Sequence, residues 1–142
     1  MKSVKSSGFP FPNSCMANQF KKHYTRDEAR ALLPKIREWL QQLDQLREEL
    51  EKLDRRLANL MKPGCDTGGP LVNRWVRLMC DLRDLLGEFH RREILIKDLD
   101  RGLVDFPAIV GGREVFLCWE KDEEDIEFWH DLDTGFAGRE RL

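Results

Sequence analysis

The 142-residue sequence lacks any run approaching the roughly 18 uncharged apolar residues that a membrane-spanning helix needs. It also lacks an apolar stretch behind Lys2 and Lys5, because Ser6-Ser7-Gly8-Phe9-Pro10-Phe11-Pro12-Asn13 stands where a secretory signal would be unbroken. A protein that is not exported and stays in the cytoplasm is expected. Cysteine is sparse: Cys15, Cys65, Cys80 and Cys118 form no CxxC pair, and no second group of Cys or His sits near enough in sequence to complete a zinc motif. Reduced, structural thiols follow from that. A charge excess of one sign is missing too, with 24 Lys and Arg against 26 Asp and Glu. Arg74, Arg77, Arg83, Arg91 and Arg92 are interrupted by Asp81, Asp84 and Glu88 at salt-bridge spacing, which argues against a nucleic-acid surface.

What is present is charge and helical periodicity. Charged residues make up 35% and apolar residues 41%, a mix suited to solvated helices around one core. The charge is divided unevenly: residues 1–96 hold 18 basic against 13 acidic side chains, and residues 97–142 hold 6 against 13, so the two parts should attract. Residues 1–22 show no periodicity and read as a flexible tail, followed by one α+β domain over 23–142. Thr25-Arg26-Asp27-Glu28 is a capping box. Beyond it Leu32, Ile36, Trp39, Leu43, Leu46, Leu50, Leu53, Leu57 and Leu60 recur at steps of three and four, the pattern of a heptad seam. Pro34 lies inside this run, so a kink or restart is expected near Leu33.

Pro63-Gly64-Cys65-Asp66-Thr67-Gly68-Gly69-Pro70 ends that helix as a hairpin loop. A second helix follows, with Leu71, Trp75, Leu78, Met79, Leu82, Leu85, Leu86 and Phe89 as its apolar side. The first helix spans roughly 54 Å and the second about 33 Å, so the start of the first needs other cover. After residue 93 the period falls to two: Ile94–Ile96, Leu103–Phe106, Val115–Trp119 and Ile126–Trp129 read as short strands. Gly111-Gly112 supplies the two positive φ angles of a tight hairpin turn. The fold class is thus α+β: a long antiparallel helical hairpin with a heptad seam over 25–92, then a small antiparallel β-sheet over 93–142.

Two segments could carry chemistry. Asp98-Leu99-Asp100-Arg101-Gly102-Leu103 and Asp131-Leu132-Asp133-Thr134-Gly135-Phe136 share a D-L-D-x-G pattern. If the two turns met, Asp98, Asp100, Asp131 and Asp133 would offer oxygens to Ca²⁺ or Mg²⁺. The plainer reading is that aspartates cap turns at strand ends. Trp129-His130-Asp131 is the other segment, where an adjacent carboxylate could tune His130 as a general base, with Asp105 as the second candidate acid/base residue. Against this stands a structural histidine, since no activated nucleophile is evident near it.

Taken together, Tyr24-Thr25-Arg26-Asp27-Glu28-Ala29 with Leu33-Pro34, Lys97-Asp98, Gly102-Leu103-Val104-Asp105-Phe106-Pro107, Cys118-Trp119, Trp129-His130 and Gly135-Phe136-Ala137-Gly138-Arg139 form a specific set. On them the chain resembles the family called domain of unknown function 2203. The resemblance implies a cytoplasmic bacterial protein with paired helices and a compact β-containing end, and it carries no activity. The function expected is a self-associating interaction or scaffold module, a homodimer through its helices or one that engages a protein partner. The competing expectation is a metal-dependent or acid/base enzyme built on the Asp-rich turns and His130.

Overall fold

The computed structural model describes residues 17–62, 64 and 69–142, and shows two helices followed by a five-stranded antiparallel sheet. Helix α1 runs Arg26–Met61. Its first turn is closed by the expected box: the Glu28 N–H donates to Thr25 Oγ1 at 3.2 Å, and the Thr25 N–H donates to Glu28 Oε2 at 2.8 Å. The helix passes through Pro34 as one element, so the expected restart does not occur. Packing explains this, because Leu33 and Ile36 on either side of the proline are 2% and 0% exposed and hold the turn in place. Helix α2, Pro70–Arg91, begins with its proline in the first turn, where the missing N–H has no intrahelical role. Of the expected loop between them, residues 63 and 65–68, Cys65 included, lie outside the described residues.

The two helices touch in reversed order, with Trp39 against Phe89 at 5.3 Å between ring centroids and the Trp75 indole N–H donating to Asp54 at 2.7 Å. Strands β1 Leu95–Asp98, β2 Leu103–Val110, β3 Arg113–Glu120, β4 Phe128–Asp131 and β5 Glu140–Arg141 lie side by side in chain order. Gly111 and Gly112 make the β2–β3 turn with φ of 57° and 77°, as their pairing in the sequence predicts. Strand β5 is too short, and too polar at Glu140-Arg141, to show as a period-two run.

One face of the sheet presents Val104, Phe106, Ala108, Val115, Leu117 and Trp119 to Leu33, Ile36, Trp39 and Leu43 of α1, forming the main core. This is the cover that the unequal helix lengths called for. Farther along, Leu50 and Leu53 meet Leu78 of α2 in a second, smaller cluster. The opposite sheet face is covered as well. The segment before α1 crosses it, with Phe20 edge-on to Phe116 at 5.4 Å. Of the expected tail 1–22, residues 1–16 lie outside the described residues. The backbone amides of Gln19 and Phe20 donate to Glu114, and those of Lys21 and Lys22 to Glu93, so the part that is described is held down. Strand β1 is short, which leaves the Pro107 carbonyl free to accept the Tyr24 N–H at 2.7 Å. Residues Leu103–Ala108 of β2 are consequently buried on both sides.

Candidate functional site: a buried Asp-His-Cys group

Strand alternation sends every second residue to the face away from the helices. Asp105 of β2 pairs in register with Cys118 of β3, and His130 of β4 pairs with Phe116, two residues before Cys118. Three neighbouring strands therefore point a carboxylate, a thiol and an imidazole at one place. Asp105 and His130 are 1% and 3% exposed, and Cys118 is fully buried. The sequence singled out Asp105 and His130 separately, and the sheet brings them into contact: His130 Nε2 lies 3.0 Å from Asp105 Oδ2.

The other imidazole nitrogen, Nδ1, lies 2.8 Å from the Asp131 carbonyl. A carbonyl oxygen only accepts, so Nδ1 carries a hydrogen. A 3.0 Å contact between Nε2 and a carboxylate then requires one more proton between them, either on His130 or on Asp105. Burial raises the Asp105 carboxyl above its ordinary range, opposed by the charge and hydrogen bond of His130, which favours retention of that proton. The second oxygen, Asp105 Oδ1, has no hydrogen-bond partner among the described residues. Burial also pushes the Cys118 thiol up to about 12, with the nearby Asp105 charge acting in the same direction and Arg139 against it. Arg139 lies over the rings of Phe128 and Phe136, 4.0 Å from each, and places Nη1 2.7 Å from Glu123 Oε1, off the N–H axis. Above Asp105 and His130 opens a cleft of about 230 Å³ whose walls include Lys97, Leu103, Asp133, Thr134 and Phe136.

The four aspartates expected to share a hard cation are not brought together. Asp98 is level with Leu103 and, through it, Glu120 of β3, whereas Asp131 is level with Val115. The turns are therefore three strand spacings apart, about 14 Å, and five residues apart along the strands, about 17 Å. Three of the four have local work instead. Asp98 accepts the Arg101 N–H at 3.0 Å, Asp100 pairs with Arg47 at 2.9 Å, and the Asp131 carboxylate lies 3.3 Å from Arg113. Asp133 is exposed on the rim of the cleft.

What the sequence did not flag is Cys118. The signal was present, since a two-residue turn at Gly111-Gly112 pairs residues equidistant from it and so sets Asp105 opposite Cys118. His130 could not be placed this way, because the longer segment between β3 and β4 fixes no register.

The chain matches, over residues 22–142, the family described as "Uncharacterized conserved protein (DUF2203)". The chain belongs to this family. No curated protein and no solved structure matches it. Asp105, Cys118 and His130 all fall within residues 22–142, so the buried group lies inside the matched stretch. No helix among the described residues is long and apolar enough to cross a membrane.

The buried hydroxyl and thiol give this domain of the 2203 family a measurable alkaline limit. The Tyr24 hydroxyl donates to the Arg92 carbonyl at 2.7 Å, and burial raises it from 10.0 to about 12. Groups raised in the folded state contribute stability that is complete below their unfolded values and is lost as pH rises through the folded ones. For Cys118 and Tyr24 that window runs from about 9 to about 12. Tyr24 is the one tyrosine in the chain, so tyrosinate absorbance reports it alone. Its midpoint is expected near 12 in the folded protein and near 10 in urea; a folded midpoint near 10 would contradict the buried hydrogen bond.

Proposed function

We propose that the protein is an interaction module that works as a homodimer, its two helices forming an antiparallel hairpin that pairs with a second copy through the outer side of α2. The observation that carries this reading is the exposure of α2: only Leu78 and Phe89 of its 22 residues are buried, while Val76, Met79 and Leu86 are 46%, 40% and 41% exposed. The half-buried Val72 joins them, with steps of four and three to Val76 and Met79 and a step of seven past the exposed Arg83 to Leu86, forming a stripe beside the one that faces α1. Val72 and Leu86 lie seven residues to either side of Met79, so an antiparallel two-fold copy centred there sets Val72 against Leu86 at both ends. Burial of each such side chain contributes on the order of 1.5–3 kcal/mol.

The heptad seam of α1 does not supply the interface on this reading. Its sheet end is covered by β2 and β3 and its other end by α2, so the length mismatch is resolved within one chain. A substitution such as Leu50→Glu would strike the 7%-exposed core and is the wrong probe. Val76→Glu with Met79→Glu tests the surface instead. Light scattering at tens of micromolar should give a dimer mass for the native chain and a monomer mass for the double variant, with matching circular dichroism melts. A monomeric native chain would end the proposal. The free thiols of Cys80 and Cys118 suit a reducing cytoplasm.

A further inference from the structure

We propose that Asp105, Cys118 and His130 form a binding site for a single transition-metal dication of the Zn²⁺ class, with one coordination position open to the cleft above them. The donor atoms are one carboxylate oxygen, one sulfur and one imidazole nitrogen, all within 4.8 Å of one another. Ligand atoms around a tetrahedral zinc lie about 3.5 Å apart, so the three need to move by about 1 Å or less to converge. They come from adjacent strands β2, β3 and β4, whose ladder holds their backbones in register. Metal sites of this composition are seldom legible as sequence motifs, because each ligand sits alone on its own strand.

Three features beyond proximity point to a metal. Asp105 Oδ1, in a side chain 2% exposed, has no well-aligned hydrogen-bond partner among the described residues, the weakly donating Cys118 thiol being the group beside the carboxyl, an arrangement that is costly unless something stronger meets it. His130 commits Nδ1–H to the Asp131 carbonyl and turns Nε2 toward the other two donors, the outer hydrogen bond that typically orients a metal-bound histidine. The third is charge. A thiolate and a carboxylate with a neutral imidazole neutralise a dication, so the loaded site carries no net charge into a buried place.

Donor softness selects the ion. Sulfur and nitrogen donors favour Zn²⁺ and its neighbours over the hard cations Ca²⁺ and Mg²⁺, which take oxygen. The site therefore differs both in place and in metal class from the one that the D-L-D-x-G turns suggested. Three protein ligands leave a fourth position, as in zinc centres that bind water or a substrate atom. Here it faces a cleft of about 230 Å³ with Lys97 and Thr134 in its wall, suited to water or a small anionic oxygen ligand. Lys97 and Arg139 are the cations nearest the site. Arg139 is offset by Glu123 at 2.7 Å, and both favour the ionised forms of the donors beside them.

The test uses the full chain with Cys15, Cys65 and Cys80 each replaced by serine, so that Cys118 is the one thiol. After treatment with a chelator, it is titrated with Co²⁺. A thiolate-to-cobalt absorption band that saturates at one equivalent, and is displaced by Zn²⁺, is expected. One equivalent of Zn²⁺ should also raise the melting temperature by mass action. Asp105→Asn and His130→Gln in the same background should weaken Co²⁺ binding at least tenfold. The proposal is overturned if the folded triple-serine chain shows no such band, or if Asp105→Asn and His130→Gln leave its Co²⁺ affinity unchanged. Because the first readout keeps all three donors intact, a misfolded ligand variant does not blur the outcome.

Discussion

Replacing Asp105 by alanine is expected to cost the metal-free fold about 3–5 kcal/mol, while Asp105→Asn should cost no more than about 1.5 kcal/mol. The difference follows from the proton count at the site. His130 keeps a hydrogen on Nδ1 because its partner there is a carbonyl, so Nε2 must meet a donor or share a proton across the 3.0 Å contact. Alanine removes that partner and leaves a buried ring nitrogen unsatisfied at 3% exposure, with a small cavity beside Cys118. Asparagine keeps the shape, and its Nδ2–H donates to a neutral Nε2. The double variant Asp105→Leu with His130→Leu should lose less than the sum of the two single leucine variants, because it removes both partners at once. Urea titrations of chelator-treated protein give these values. Equal losses for the alanine and asparagine variants would show that the hydrogen bond contributes nothing, and additive losses in the double variant would show that the two residues are uncoupled.

The pH dependence provides a second reading of the same pair. Asp105 is raised in the folded state, so its contribution is fully present below its unfolded value and declines as pH rises through the folded one. Asparagine does not titrate. Native protein should therefore lose stability relative to Asp105→Asn on moving from acid toward neutral pH, and a constant gap would place no proton on the carboxyl.

Much of the architecture was legible because it is local. The capping box at Thr25, the apolar steps of both helices, and the glycine pair at 111–112 each dictate their own geometry within a few residues. The burial of Leu33, Ile36 and Trp39 beneath the sheet followed from a length argument that needed no coordinates. The candidate site was legible only in halves. Asp105 and His130 stood out by type and neighbours, but their 3.0 Å contact depends on the β3–β4 register, which no short turn specifies. Cys118 has no activating neighbour along the chain, and its surroundings are cross-strand. The paired D-L-D-x-G turns run the other way: identical letters offered a shared cation beside the plainer reading of turn caps, and the sheet order places the two turns at different corners.

The separation of the two turns has a measurable consequence at their glycines. Gly102→Ala should destabilise the protein by about 2–4 kcal/mol, whereas Gly135→Ala, at the matching place in the second copy, should stay within about 0.5 kcal/mol. Gly102 has φ of 65°, a left-handed conformation that costs an ordinary residue about 1–2 kcal/mol. Space is also lacking: a Cβ there would lie 2.7 Å from Lys121 Cβ and Cδ, against a backbone pinned by the Lys121 N–H to the Gly102 carbonyl at 3.1 Å. Lys121 Cβ cannot withdraw without opening the end of the β2–β3 ladder. Gly135 has φ of −93°, and a Cβ built on it meets nothing within 4 Å. The first glycine is thus required by the turn that joins β1 to β2 and the second is not, although the sequence presents them identically. Thermal or urea unfolding of the two variants decides the matter. Equal effects at both positions would restore the repeat as one structural unit, while a silent Gly102→Ala would mean that the β1–β2 turn relaxes more freely than its contacts allow.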